Sequence, residues 1–158
     1  MVLEGKDIER YLVSWNGLWV DYGEWLAEPR NEDLFEGERI LLRRIVNQRF
    51  TAAYVNDNFC NNSLLHTIKI IDNIISTKYI LALLNSKLFG EYFIRKFARE
   101  EKTFPEIRVS EIKELPIRVI PEQEQSKISN FVDEILLLNK QIAEETTNFI
   151  STLKEKKK

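Results

Sequence analysis

The chain has 158 residues, of which 44% are hydrophobic and 30% charged, and its net charge is −2. This composition is typical of one globular domain with its own core. No stretch approaches the ~20 apolar residues that span a bilayer, and we expect no signal peptide because no basic flank precedes an apolar block. A single cysteine, Cys60, excludes an internal disulfide and favours a reducing, cytoplasmic location.

Charge is distributed unevenly along the chain. Residues 1–38 carry ten acidic and three basic side chains, residues 39–118 carry eight acidic and fourteen basic ones, and residues 119–158 carry seven acidic and six basic ones. The middle of the chain is therefore basic and both ends are not. A localised basic surface is what a domain needs when it contacts DNA phosphates over one face. Chance variation of charge along a solvated chain is the alternative explanation.

The first segment, residues 8–22, predicts a β-hairpin. Two runs rich in β-formers flank Asn16-Gly17, and both turn residues tolerate the positive φ of a type I′ turn. The tryptophans and tyrosines of these runs are interpreted as cross-strand core pairs, with stacking on DNA bases as the alternative. Residues 23–38 form an acidic, irregular segment with a short helical turn near residues 31–35, which is a poor surface for DNA.

Three further strands are expected in the centre of the chain, at residues 39–46, 50–55 and 64–71. With the hairpin they give a mixed, mostly antiparallel sheet over residues 8–71. This part contains Arg43, Arg44 and Arg49, and arginine is suited to bidentate contact with guanine or phosphate. Neighbours on a strand face opposite sides, so either Arg43 or Arg44 could face DNA while the other pairs with the acidic N-terminal segment. A solvated basic strand is the alternative.

Two loops supply further candidate DNA contacts. The turn-forming loop at residues 56–62 contains Asn58, and asparagine hydrogen-bonds well to adenine. A basic loop at residues 95–104 supplies three candidate phosphate contacts, which are Lys96, Arg99 and Lys102. No metal site is expected, because the single histidine, His66, has no second histidine or cysteine pair to complete a zinc site.

A helix is predicted from residue 77 to residue 97, capped at its start by Ser76. Three residues in its middle lower helix propensity, and we interpret them as positions where a neighbouring element packs closely; they are Asn85, Ser86 and Gly90. A short helical turn capped by Ser110 should end before Pro116, because the residue preceding a proline is disfavoured in the helical region.

The last predicted element is a long amphipathic helix over residues 122–153, which begins after Pro121. Its apolar residues recur at the a and d positions of a heptad, the pattern that packs along another helix. These positions are Ile128, Phe131, Ile135, Leu138 and Ile142. The helix either lies on the core of its own domain or docks on something outside it. Together the elements predict an α+β fold in which the sheet precedes the helices.

Three segments carry a resemblance to a known family. They are Gly5–Tyr11, Leu83–Leu88, and the pattern Pro-x-Ile-x-Val-x-x-Ile-Lys-x-Leu-Pro-Ile at residues 105–117, followed by Glu122-Gln123 and the long helix. In this order and spacing they resemble the target recognition domains of restriction–modification systems. Those domains occur as type I specificity subunits and as the TaqI-like C-terminal specificity domains of adenine methyltransferases and fused type II enzymes. The resemblance covers nearly the whole chain.

The resemblance implies a DNA target recognition domain at residues 1–120 and a coiled-coil-like helical arm of the same domain at residues 121–158. It implies double-stranded DNA as the ligand and a parent protein whose methyltransferase, with or without a nuclease, lies outside this chain. S-adenosylmethionine would be a cofactor of that parent and not of this chain. The arm would dock on the catalytic portion or on a second recognition domain, and a homodimer through the arm is left open. No membrane partner is expected.

Catalytic motifs are absent from the sequence. It has no Gly-x-Gly loop for S-adenosylmethionine or a nucleotide and no Asn-Pro-Pro-Tyr motif, so we expect no catalysis by this chain. Glu106, Glu111 and Lys113 imitate the acidic metal site of a nuclease, but that site needs both carboxylates around a metal ion on adjacent strands. Glu111 falls instead in the predicted helical turn. A protein-assembly module that dimerises through the final helix, with an incidental basic surface, is the remaining alternative.

Overall fold

The computed structural model describes residues 1–46, 48–97 and 106–155, with the side chains of the last helix described as far as Leu153. Its strands are β1 (Val2–Leu3), β2 (Ile8–Glu9), β3 (Leu12–Val13), β4 (Arg39–Arg43), β5 (Ala52–Val55), β6 (Cys60–Asn61) and β7 (Leu65–Ile68). Its α-helices are α1 (Thr77–Asn85), α2 (Lys87–Lys96), α3 (Val109–Lys113) and α4 (Glu122–Glu155). The predicted α+β class, with the sheet first and a long helix last, is confirmed.

The centre of the fold is β4, which pairs antiparallel with β5 on one side and β7 on the other. Ile40, Leu41 and Leu42 are completely buried, because side chains alternate across a strand and both faces of β4 are covered. Ile40 and Leu42 pack towards the helices, whereas Leu41 packs in a smaller cluster with β1 and β2. A parallel pair, β1 with β6, makes the strand arrangement mixed but mostly antiparallel, as predicted. The described strands form three separate sheets, however, instead of the single sheet expected over residues 8–71, and β1 lies before that range.

The predicted hairpin over residues 8–22 is wrong in its turn. The antiparallel pair is β2 with β3, and the turn between them is at residues 10 and 11. Tyr11 adopts a positive φ of 63° in this turn. Asn16 and Gly17 form a local turn instead: Asn16 Oδ1 accepts a hydrogen bond from the Leu18 N–H at 2.8 Å, and Gly17 has a φ of 87°. An asparagine side chain that satisfies the backbone two residues ahead makes a turn without needing paired strands.

The predicted single helix over residues 77–97 is two helices. Ser86 has extended backbone angles and ends α1, and its Oγ accepts from the Phe89 N–H at 3.2 Å, so it also caps α2. The interpretation of close packing at Gly90 is confirmed, because a Cβ there would lie 2.7 Å from the Gln48 carbonyl oxygen. The residues that weaken a continuous helix are therefore the residues at which the chain bends or packs closely against a neighbouring segment.

The start of α4 is fixed to the domain by a buried glutamine. Gln125 Oε1 accepts from the Ser76 N–H at 2.8 Å, and its Nε2 donates to the carbonyls of Ile74 and Ile120 at 2.9 Å each. Val132, one heptad later, is buried against the main core. With 34 residues, α4 is about 51 Å long. Over the part of the chain that the structure describes, no helix is long and apolar enough to cross a membrane.

Candidate nucleic-acid interface

Three arginines lie at one end of the three-stranded sheet. Arg43 is the last residue of β4, and its N–H donates to the Thr51 carbonyl at 2.9 Å. Arg44 follows it at a bend, and Arg49 lies in the connection that returns to β5. We call this surface, defined by Arg43, Arg44 and Arg49, the arginine end. The predicted strand over residues 39–46 stops at Arg43, and this shorter strand places Arg44 on the connecting loop.

Arg43 is half-buried and its guanidinium is incompletely bonded. Nη2 is 3.5 Å from the Lys6 carbonyl oxygen, and the buried Nε has no acceptor among the described residues. A buried donor without a partner is uncommon in folded proteins. Arg43 therefore contacts the acidic N-terminal segment through a backbone carbonyl and not through a carboxylate.

Arg44 forms an ion pair with Glu106. Its Nη2 is 3.1 Å from Glu106 Oε2, and the two side chains are 40% and 56% exposed. The backbone holds the pair in place, because Glu106 forms an isolated antiparallel β-bridge with Ile45 and the Ile107 N–H donates to the Arg44 carbonyl at 2.7 Å. The acid that Arg44 meets is thus sixty-two residues away along the chain and not in the acidic N-terminal segment.

Arg49 is exposed, and its backbone lies against α2. A Cβ on Gly90 would be 2.9 Å from the Arg49 Cα, so the absence of a side chain at Gly90 lets the connection lie flat on the helix. Within the described ranges, no carboxylate is within ion-pair distance of Arg49.

Sequence reasoning missed two cations near these arginines. Lys6 lies beside Arg43, whose Nη2 faces the Lys6 carbonyl, and the Lys6 ammonium is 2.7 Å from Glu4. The hydrogen bond that Lys6 donates to this carboxylate raises the pKa of Lys6. Arg108 is exposed and follows Ile107, which bonds the Arg44 backbone. Both cations are local in space and distant in sequence, so no spacing rule could have found them.

The arginine end lies within the part of the chain that matches a known family. The family model of the TaqI-like C-terminal specificity domain matches residues 1–117, which include all the strands and α1 to α3. The chain belongs to this family. It is therefore a DNA-recognition module of restriction–modification systems. The match ends before α4, so the resemblance is shorter than the nearly complete one expected from the sequence, and a comparison with curated proteins found no significant match.

Other cations predicted to contact phosphate in this specificity domain are placed differently. Lys96 ends α2, and its Nζ lies 3.0 Å from Glu114 Oε2 and 5.2 Å from the centre of the Phe97 ring. The hydrogen bond that Lys96 donates to Glu114 raises the pKa of Lys96, which therefore remains charged but is already paired. Arg99 and Lys102 lie outside the described residues.

Asn58 is at the opposite end of the sheet from the arginine end. Val55 pairs with Arg39 at the start of β4, and the four-residue step from Arg39 to Arg43 spans about 13 Å. Asn58 is exposed beside a small cavity of about 210 Å³ that is also lined by Glu32 and Glu36. The structure therefore does not bring Asn58 together with the three arginines, and two acids line the cavity beside it.

The fourth arginine of the basic segment, Arg39, is structural. It is completely buried and donates to three backbone carbonyls at 2.8 to 2.9 Å, those of Gly37, Asp57 and Phe59. Burial lowers the pKa of Arg39. The side chain therefore fixes the loop that follows β5, and it does not face a ligand.

The residues that imitate a nuclease metal site are occupied by other roles. Glu106 pairs with Arg44, and Glu111 Oε2 accepts from the Arg108 N–H at 2.8 Å at the start of α3. This helix begins two residues earlier than predicted, at Val109, so Ser110 is inside it and does not cap it. Among the described residues no group of three acidic, histidine or cysteine side chains is arranged to hold a metal ion.

The predicted docking residues of α4 lie mostly on its outer side. Phe131 is 64% exposed, Leu138 55% and Ile142 61%, and Ile135 is at the margin of exposure. Ile128 differs, because it packs against the main core. We call Phe131, Ile135, Leu138 and Ile142 the outer seam.

The inner side of α4 faces the domain through other positions. Gln125, Val132 and Leu136 pack on it, and further along the helix borders a cavity of about 710 Å³ against the β2–β3 hairpin and β5. The outer seam and this inner side are separate, so α4 can rest on its own domain and still present an apolar stripe.

Proposed function

We propose that this specificity domain recognises a short DNA sequence through its arginine end, on behalf of a methyltransferase that lies outside the chain, with or without a nuclease. Residues 1–120 would form the recognition unit and would carry no catalytic group of their own. The parent protein would bind S-adenosylmethionine and act on DNA in the cytoplasm. Family membership supports the role, and the placement of Arg43, Arg44 and Arg49 supports the surface.

The observation that carries the choice of surface is the separation of charge across the sheet. The end of β4 at Arg43 gathers five cations, namely Lys6, Arg43, Arg44, Arg49 and Arg108, against two acids, Glu4 and Glu106, that pair with Lys6 and Arg44. The cavity beside Asn58 at the other end is lined by Glu32 and Glu36. A DNA duplex repels the second end and attracts the first. The arginines can then reach base edges, while Arg108 contacts phosphates. Arg99 and Lys102 remain candidate phosphate contacts by sequence.

The helical arm at residues 121–158 would join the recognition unit to the catalytic portion or to a second recognition domain. Gln125 and Val132 fix the start of α4 to the domain, so the arm is rigidly oriented where it leaves. The outer seam is apolar and exposed, which is the condition for helix-to-helix docking.

Selection from randomised duplexes tests the proposal. We expect the chain to enrich a motif of a few base pairs, with binding that weakens steeply as salt rises because each phosphate contact releases counterions. Arg43→Ala together with Arg44→Ala should reduce affinity by about tenfold or more. Arg118→Ala is the matched control, because Arg118 is exposed but lies near α1, where its carbonyl accepts from Tyr79. Equal enrichment of all sequences would contradict the proposal.

A second candidate function, protein assembly through α4, is favoured by the exposure of the outer seam. Self-association through apolar contacts responds weakly to salt, in contrast to DNA binding. If assembly is the function, Phe131→Ser with Leu138→Ser should abolish the oligomer seen by sedimentation, while Leu137→Ser, which is equally exposed but off the seam, should not. A chain that stays monomeric and selects DNA would exclude this candidate.

A further inference from the structure

We propose that Glu106 is a specificity-determining residue, which holds Arg44 for contact with a base and keeps it from acting as a phosphate contact. This inference rests on the proposed function of the arginine end. It deepens that function, because it assigns different tasks to arginines that lie at one end of the sheet. The observation behind it is that Arg44 is paired with a carboxylate, whereas Arg43 and Arg49 have no carboxylate partner among the described residues.

The backbone prevents Glu106 from moving away from Arg44. Glu106 forms an antiparallel bridge with Ile45, and Ile107 donates to the Arg44 carbonyl. On the other side, the Arg44 N–H donates to the Leu64 carbonyl at 2.9 Å. Both members of the ion pair are thus attached to an ordered backbone. An ion pair as exposed as this one contributes little to stability, so stability alone does not account for the arrangement.

One carboxylate uses only part of the hydrogen-bonding capacity of an arginine. The guanidinium has five N–H donors, and the contact at 3.1 Å engages Nη2. The remaining donors can form the bidentate contact to guanine O6 and N7. Because the pair is already oriented before DNA arrives, less side-chain entropy is lost on binding.

The same carboxylate disfavours the competing contact. A phosphate that approaches Arg44 also approaches Glu106, and like charges repel. An acid inside a basic surface therefore lowers binding to arbitrary DNA more than binding to a sequence that places a guanine at Arg44. Specificity is a difference of affinities, and it can be increased by weakening the wrong complex.

The charge-removing variant Glu106→Gln in the full chain tests the inference. The matched control is Asp133→Asn on α4: Asp133 pairs with Lys78 at 2.7 Å and is 51% exposed, close to the 56% of Glu106. Affinity is measured for the selected sequence and for a scrambled duplex of equal length, each over a range of salt concentrations.

We expect Glu106→Gln to bind the scrambled duplex about threefold to tenfold more tightly. The plot of log binding constant against log salt concentration should also become steeper by about one unit. The ratio of its affinity for the selected sequence to its affinity for the scrambled duplex should fall about tenfold. Most of this loss should come from reduced discrimination at one base pair of the selected sequence. Glu106→Asp, which keeps the charge, should retain the preference, and Asp133→Asn should match the wild type. In an Arg44→Ala background, Glu106→Gln should change little, because the effect requires Arg44.

Two results overturn the inference in distinguishable ways. If the wild type selects a sequence but Glu106→Gln behaves like Asp133→Asn, Glu106 has no role in specificity while the proposed function stands. The same conclusion follows if the effect of Glu106→Gln persists in full without Arg44. If the wild type selects no sequence and its affinity for DNA does not change with salt concentration, the proposed function is wrong, and this inference, which rests on it, is wrong as well.

Discussion

The side-chain amide of Asn85 bonds both backbone groups of Ala52. Asn85 Oδ1 accepts from the Ala52 N–H at 3.0 Å, and its Nδ2 donates to the Ala52 carbonyl at 2.9 Å. Asn85 is the last residue of α1 and Ala52 is the first residue of β5. The Asn85 side chain therefore joins the end of a helix to the start of a strand. Both residues are buried, which makes the contact costly to lose.

Asn85→Ala should lower the free energy of unfolding by about 2 kcal/mol. The buried Ala52 N–H would lose its acceptor, while the Ala52 carbonyl would keep the hydrogen bond from the Tyr11 N–H at 3.0 Å. Urea denaturation measures the change, and Asn130→Ala, at an exposed position of α4, is the control and should change stability by less than about 0.5 kcal/mol. Equal effects of the two substitutions would refute the role given to Asn85.

Gly90→Ala should destabilise the protein although alanine is the better helix former by about 1 kcal/mol. The new Cβ would lie 2.7 Å from the Gln48 carbonyl oxygen and 2.9 Å from the Arg49 Cα, and backbone atoms cannot rotate away as a flexible side chain can. We expect a net loss of about 1–2 kcal/mol and weaker DNA binding, because the connection that carries Arg49 must shift.

The control for Gly90→Ala is Gly5→Ala. A Cβ at Gly5 would meet the Leu64 Cβ at 3.4 Å, an ordinary contact. Thermal unfolding of the two variants should therefore differ, with the lower midpoint for Gly90→Ala. A Gly90→Ala protein that is more stable than the wild type would mean that helix propensity outweighs the contact.

Periodic patterns predicted the elements of this fold better than its bends. The strand pattern around Leu41 and the heptads after Pro121 depend on residue type at a fixed spacing, and both elements are present. The turn at Asn16 and the break at Ser86 depend on where a side chain finds its hydrogen-bond partner. That partner is set by local geometry or by a distant strand, and spacing does not encode it.

The candidate site was predictable in composition but not in arrangement. The acid-free run around Arg43 and Arg44 identified the basic end of β4. Its pairing could not be foreseen, since Glu106 reaches Arg44 only after the chain has passed through two helices. Asn58 was grouped with the arginines because of its chemistry, and the antiparallel register places it at the other end of the sheet.

Gln125→Ala should lower the free energy of unfolding by about 2–3 kcal/mol and loosen the start of α4. The substitution removes the acceptor of the Ser76 N–H and two donors to carbonyls, in a region where unsatisfied groups cost about 1–3 kcal/mol each. Gln123→Ala, in the same helical turn but exposed, is the control. Amide hydrogen exchange should show faster exchange at residues 122–132 for Gln125→Ala alone, and unchanged protection there would show that Gln125 does not hold the helix.

Tyr54 should make the protein less stable at alkaline pH. Burial raises the pKa of the Tyr54 hydroxyl above its ordinary value of 10.0, and the hydrogen bond to Glu38 at 2.6 Å raises it further. The folded state therefore holds the proton more tightly than the unfolded state does. The stability that this contributes is complete below about pH 10 and is lost as pH rises towards the folded pKa, because only the unfolded chain ionises in that window.

Tyr54→Phe removes this titration together with the hydrogen bond to Glu38. We expect the variant to be less stable than the wild type at pH 8 and the gap to narrow between pH 10 and pH 11, as measured by the urea midpoint at each pH. The difference between the two proteins is the relevant quantity, because burial also raises the pKa of Tyr11 and Tyr11 is common to both. A gap that stays constant across this range would show that Tyr54 ionises equally in the folded and unfolded chains.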